Sequence, residues 1–355
     1  DGPAHDEAKS IAVTPDGAVW FAFGDNSTAS PGGGLSRFGL ARDGSGVERE
    51  WTYHMGDAQV TSLALAPDGA LWAAAGQTVQ RYDGAKWQTA AECDNHNACG
   101  VLDIAFTADG YVWLANGLSL TRLSSPTGAW DGSPLHTHYD KMVHSLFAAP
   151  DGALWMNGWA GTQNSSFVAR MDGESWTISK TANAIPGLFA VEAISEDGRI
   201  WGVVPEIGLA SFNGASDART PQPPDNAASI NEIASWSDAE SWSIYPPPDG
   251  VSLLSVRTVA PDGALWITTD GGIARFDPSV DSTVATESVL EKNWTSYRYP
   301  EGLIGMHGAV AFERDGKGMW IGTTRITLKV EATGSWVMEA TPEGDARCLQ
   351  EWQRM

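Results

Sequence analysis

Val60-Thr-Ser-Leu-Ala-Leu-Ala-Pro-Asp-Gly-Ala-Leu-Trp-Ala-Ala-Ala-Gly-Gln-Thr-Val-Gln-Arg-Tyr-Asp-Gly-Ala-Lys-Trp-Gln-Thr-Ala90 divides into four short β-prone runs separated by Pro-Asp-Gly, Gly-Gln and Asp-Gly. Each separator holds a residue that tolerates positive φ, the mark of successive hairpins, so the stretch reads as strands A, B, C and D of one antiparallel sheet. A sheet of about 30 residues cannot cover both of its own faces, so neighbouring copies must do so.

Those copies are present. Asp-Gly followed by an apolar residue and Trp recurs at Asp16 to Trp20, Asp68 to Trp72, Asp109 to Trp113, Asp151 to Trp155, Asp197 to Trp201, Asp262 to Trp266 and, with one extra residue, Asp315 to Trp320. A second Trp follows each: Trp51, Trp87, Trp130, Trp176, Trp242, Trp294 and Trp336. Large aromatics at fixed places in every repeat fill the wedge between neighbouring sheets. The expected fold is all-β, a seven-bladed β-propeller of four-stranded antiparallel blades over 1–344. Its blades fall near 9–55, 59–91, 100–140, 142–181, 188–246, 251–299 and 307–341, and 345–355 is a C-terminal tail. Blades five and six carry long C–D insertions, the first Pro-rich with a short helix expected near Ser229 to Ser235.

The 355 residues hold 44 Asp plus Glu against 22 Lys plus Arg, a formal net charge of -22. Phosphate backbones are repelled by such a surface and no basic run exceeds two residues, which excludes nucleic acid as a partner. Apolar runs reach about half of the ~20 residues of a membrane-spanning helix, so no membrane-spanning segment is expected. Cys93 and Cys99 bracket a polar loop at disulfide-compatible spacing, which points to an oxidising compartment, periplasmic or extracellular; two free thiols are the alternative. Cys348 is left over. The chain opens at Asp1 without a signal segment and reads as processed or excised from something longer.

Strand order sorts the loops. A–B and C–D turns emerge on one side of the propeller, B–C turns and D–A connections on the other. His54, His96, His136, His138 and His307 fall in D–A connections and His144 opens an A strand, so six of the seven His share a side. Because A strands are innermost, these residues surround the expected mouth of the central channel. His136, His138, His144 and His307 form a candidate metal set for a divalent ion, calcium or a transition metal, with Asp140, Glu206, Asp270 and Glu301 on the same side; solvated loops are the plainer account. Trp159 is extra to the repeat and sits with Asn157, Gln163 and Asn164 in a B–C excursion, where an indole stacks on a sugar ring while amides bind hydroxyls; a buried loop anchor is the alternative. With His54, Asp140 and Glu301 these make the candidate ligand-binding set. The excursion from Gly24 to Gly34 is placed to fold over the mouth. Glu192 and Arg257, at matching inner-strand offsets in adjacent blades, predict an inter-blade ion pair. Sequons stand at Asn26, Asn164 and Asn293.

The run from Val256 to Asp277, Val-Arg-Thr-Val-Ala-Pro-Asp-Gly-Ala-Leu-Trp-Ile-Thr-Thr-Asp-Gly-Gly-Ile-Ala-Arg-Phe-Asp, resembles the two-component-regulator propeller repeat, and Met319 to Thr324 resembles its second strand. A weaker similarity is to streptogramin (virginiamycin B) lyase propellers, whose repeat carries a Pro-Asp-Gly turn before an apolar residue and Trp. The first resemblance implies periplasmic sensing of glycan fragments. The expected function is an exported ligand-binding or interaction propeller, taking a small molecule, a glycan or a protein partner on the D–A/B–C side. A metal-assisted lyase or hydrolase using the same His residues, and a scaffold subunit of a larger assembly, are the alternatives.

Overall fold

The computed structural model describes residues 8–24, 33–40, 49–92, 100–116, 120–123, 141–160, 165–172, 175–180, 190–213, 242–280, 293–298, 309–312, 318–322, 327–331 and 336–340. Among them are six four-stranded antiparallel sheets and one three-stranded sheet, each with its strands in chain order. The second sheet follows the quoted stretch closely: β5 (Val60–Leu65), β6 (Leu71–Ala75), β7 (Thr78–Tyr82) and β8 (Trp87–Glu92). The first holds β1 (Ser10–Val13), β2 (Val19–Phe23), β3 (Gly34–Leu40) and β4 (Arg49–His54). The third has three strands, β9 (Asp103–Phe106), β10 (Val112–Ala115) and β11 (Leu120–Leu123). The fourth strand expected there, at Trp130, lies outside the described residues, as do Cys93, Cys99 and the expected helix at 229–235.

One turn design recurs. In the second sheet the Gly69 N–H donates to Ala66 O at 2.9 Å, the Ala66 N–H donates to Ala70 O at 2.9 Å, and Gly69 has φ of 83°. This is a type I turn closed by a glycine bulge, which explains why Gly follows Asp in repeat after repeat. The Asp carboxylate then caps the turn: Asp68 accepts the Ala70 N–H at 2.9 Å and Arg81 Nη2 at 2.9 Å. Burial alone would raise its pKa, but these hydrogen bonds and the Arg81 charge hold it below the ordinary carboxylate value. Asp16 with Arg37, Asp151 with Arg170 and Asp262 with Arg275 repeat the pair at 3.1, 2.9 and 2.8 Å.

The chain divides into two compact units, Asp1–Ile104 with Tyr299–Met355, and Ala105–Arg298. In the first unit, the first sheet packs on the second: the Trp20 ring lies 5.0 Å from Tyr82 and 5.6 Å from Trp87. It also packs on the last sheet, β24 (Val310–Phe312), β25 (Gly318–Gly322), β26 (Thr327–Glu331) and β27 (Trp336–Ala340). There Trp320 stands 6.1 Å from Phe21 and 5.6 Å from Phe38. The first and last repeats therefore share a core, which an open stack would put at opposite ends.

The second unit repeats the rule with β12 (Lys141–Ala148), β13 (Leu154–Ala160), β14 (Ser165–Asp172) and β15 (Ser175–Lys180), then β16 (Ala193–Ile194), β17 (Arg199–Val204), β18 (Gly208–Asn213) and β19 (Trp242–Tyr245). Its last sheet is β20 (Leu253–Val259), β21 (Leu265–Thr269), β22 (Gly272–Phe276) and β23 (Trp294–Arg298). Trp155 shares a cluster with Phe212 of the next sheet, and Trp201 lies 5.9 Å from Phe276 of the next. The strand B Trp thus inserts between its own sheet and the one that follows. Among the described residues no helix is long and apolar enough to cross a membrane.

Candidate functional site

Inner A strands carry the residues a propeller core does not need. In β12 the pairing with β13 slips between Val143 and Ser145, which places His144 in a β-bulge. A bulge re-aims its extra side chain and breaks the strict alternation of a strand. His144 Nδ1 lies 2.8 Å from Ser145 Oγ, and burial pushes its pKa below the usual imidazole value, which favours the neutral ring. Two more slips occur in β20, between Leu253 and Ser255 and between Val256 and Thr258, which leave Leu254 and Arg257 in bulges. Arg257 Nε donates to Thr268 Oγ1 at 3.3 Å.

Strand pairing, hydrogen bonds and chain neighbours connect these bulges. Ser145 stands opposite Asn157 across the β12–β13 ladder. Asn157 is buried, its Nδ2 donates to Val191 O at 2.6 Å, and its Oδ1 accepts the Val191 N–H at 2.9 Å. The next residue, Glu192, takes two main-chain donors on Oε2: Val203 N–H at 3.0 Å from its own sheet and Val256 N–H at 2.8 Å from the following one. Burial raises the Glu192 pKa, while the hydrogen bonds from Val256, Ser255 and Val203 and the charge of Arg257 pull the other way. A polar seam thus runs from His144 through Asn157 and Glu192 to Arg257, across the inner strands of three successive sheets.

The expected ion pair is realised differently. Glu192 is seated on main-chain N–H groups, and Arg257 enters through its charge. The expected B–C loop at Asn157 and Trp159 is strand instead, because β13 runs on to Ala160. Both ends of the Asn157 amide are engaged by Val191, and the Trp159 backbone pairs with Met142 and Ser166. Periodicity could not show this, since Asn-Gly-Trp-Ala-Gly reads as a loop until two long partners clamp it. His54 closes β4, with its ring 5.1 Å from Trp20 and 6.5 Å from Trp87 in the seam between the first two sheets. Glu206 and Asp270 are exposed in B–C turns. Asn293 is buried and donates to Val280 O at 3.2 Å, which removes it as a folded-state sequon. Gln163, Asn164, Asp140, Glu301, His136, His138 and His307, together with Asn26 and the residues 25–32, lie outside the described residues. Among the described residues no group of three or more His, Cys, Asp or Glu is placed to hold a metal ion.

Sequence reasoning did not single out Met142 and Leu254, the second residues of β12 and β20, which are 46% and 39% exposed. Apolar strand starts normally read as core; here Leu254 sits in a bulge and Met142 two residues before one.

No protein-family model matches this sequence, and no curated protein sequence matches it. Solved structures do. The extracellular domain of a Bacteroides thetaiotaomicron (B. thetaiotaomicron) protein described as a hybrid two component system is similar over 90% of this chain and 39% of its own, with 14% identity and a TM-score of 0.55. Catalytically inactive virginiamycin B lyase from Staphylococcus aureus, with quinupristin, is similar over 91% of this chain and 93% of its own, at 16% identity and 0.54. YCF48 bound to D1 peptide is similar over 91% and 92%, at 14% and 0.55. These likenesses show the fold, an all-β propeller of small antiparallel sheets. The chain spans well under half of the sensor domain it resembles.

Proposed function

We propose that this chain is an exported, seven-bladed ligand-binding propeller whose site lies on the D–A/B–C side of the inner strands β12, β16 and β20. The single observation that carries this reading is the polar seam. A propeller core is built from apolar inner faces, and here β12, the residue that leads into β16, and β20 instead present an imidazole, a half-buried carboxyl and a guanidinium, two of them at bulges. Buried groups with shifted protonation cluster where proteins bind or transform ligands more often than where they only fold. Export is supported by the extracellular setting of the sensor domain that shares the fold. That the fold accommodates ligands is supported by the lyase structure with quinupristin and by YCF48 with its peptide. Counting the three-stranded sheet as a blade brings the number to seven.

A thermal-shift screen of the purified chain against chemically diverse ligands tests the reading. At least one ligand raises the Tm, and His144→Gln and Arg257→Gln each weaken that ligand about tenfold while their own folded state persists. If every stabilising ligand binds both variants as it binds the parent, the site is elsewhere.

A second reading keeps the site and adds chemistry. His144 is neutral and hydrogen-bonded to Ser145, the state a general base needs, which favours a propeller lyase over an inert receptor. In that case His144→Gln abolishes turnover of a bound ligand without abolishing its binding.

A further inference from the structure

We infer that the occupant of this site is a basic peptide segment bearing apolar side chains; the inference rests on the proposed location of the site. Two observations independent of the seam carry it. The first is apolar. Met142 and Leu254 each occupy the second position of an inner strand, so both lie at the D–A end of the unit, and both keep a large hydrophobic side chain in water at 46% and 39% exposure. The blade between them, with β16, is hydrogen-bonded to the blade of Met142 through Asn157 of β13 and to β20 through Glu192. Apolar groups held outward at the rim of a polar seam are surface that a ligand covers, since the fold itself gains nothing by exposing them.

The second observation is charge. On the same end, the exposed carboxylates of Glu206 and Asp270 cap the B–C turns of the two blades that follow, and exposed Asp249 precedes β20. Asp270 is fixed beside the apolar group: its Oδ1 accepts the Ser252 N–H at 3.3 Å, and its own N–H donates to Ser252 O at 3.1 Å, two residues before Leu254. Glu206 is held at φ of 64°, a backbone state that favours glycine, so a carboxylate stands at the turn tip where glycine would fit with less strain. The formal net charge of -22 adds a long-range field of the same sign, which raises the local concentration of cations and repels acidic ligands. Apolar anchors on the same end as exposed carboxylates complement leucine-like side chains flanked by arginine or lysine. A glycan offers neither the charge nor the apolar bulk.

Fluorescence anisotropy of the full chain with three probes decides the matter: a labelled decapeptide alternating Leu and Arg, the same peptide with Glu for Arg, and a labelled oligosaccharide mixture. The Leu-Arg peptide binds, its affinity falls as salt rises, and the Leu-Glu peptide does not bind. Glu206→Gln with Asp270→Asn weakens the basic peptide about fivefold. Met142→Ser with Leu254→Ser weakens it further, with an unchanged near-ultraviolet spectrum from the buried indoles as the check on folding. Equal binding of the two peptides, or basic-peptide binding indifferent to both double variants, overturns the inference. Oligosaccharide binding that is lost in Met142→Ser with Leu254→Ser overturns the peptide occupant and leaves the location standing. Oligosaccharide or peptide binding indifferent to these variants and to His144→Gln removes the location as well.

Discussion

Glu192 and Thr107 show how single polar groups are priced inside this fold. The folded state raises the Glu192 pKa, so the unfolded chain releases that proton first as pH rises. The favourable contribution of this residue is therefore complete below the unfolded carboxyl value of about 4.3 and is lost as pH climbs through the folded one. Glu192→Gln keeps an oxygen acceptor for Val203 and Val256 and removes the titration. Its Tm should match the parent near pH 4 and exceed it at pH 7, measured by calorimetry across that range; a gap independent of pH would refute the argument. Thr107 takes the Trp113 Nε1–H at 3.1 Å and donates to Asp109 at 2.6 Å. Thr14 and Ser195 do the same for Trp20 and Trp201, whereas Ala66, Ala149 and Ala260 occupy that place in the alternate sheets. Thr107→Ala strands a buried indole donor and should cost about 1–3 kcal/mol in urea unfolding.

At the scale of elements, β12 and β13 are decided by close approach. A Cβ on Gly158 would run into the main-chain oxygen of Met142 and the ring of Phe167, neither of which can swing away. Gly158→Ala should therefore force the two strands apart at the bulge that presents His144, costing about 1–3 kcal/mol and raising hydrogen exchange in 141–145 above that of 154–157. Exchange unchanged across β12 would show that the bulge is not set by this contact. The four-strand repeat, its turns and the paired tryptophans were legible because each depends on residues within a few positions of one another. Asp-Gly closes the same bulged hairpin in all six described copies, from Gly17 to Gly263, and the strand B Trp packs toward the neighbouring sheet. The end of β13 was not legible, because Asn157 to Ala160 become strand only through β12 on one side and β14 on the other.

Across the whole chain, the contact between the first and last repeats is the test of architecture. Trp320 covers Phe21 and Phe38, and the same cluster takes in Ala8, Ile11, Val19 and Phe23. A chain ending at Arg298 lacks β24 to β27 and bares that face of the first sheet. It should bind a hydrophobic dye, aggregate, and lose a single cooperative transition in calorimetry, while adding 299–355 as a separate piece restores part of the transition. Full cooperativity in the truncated chain would mean that the last repeat is dispensable to closure.

From the sequence alone came the all-β class, the repeat, the turn chemistry and the net negative charge, since periodicity, glycine placement and net charge act locally or sum without regard to position. The tertiary structure alone decided that Asn157 clasps Val191, that Glu192 is seated on two main-chain donors beside the Arg257 charge, and that Met142 and Leu254 face water. Each of those outcomes depends on a strand slip of one residue or on a neighbour tens of positions away. Composition and spacing carry no information about such slips, because the pleat inverts every side chain when the register moves by one.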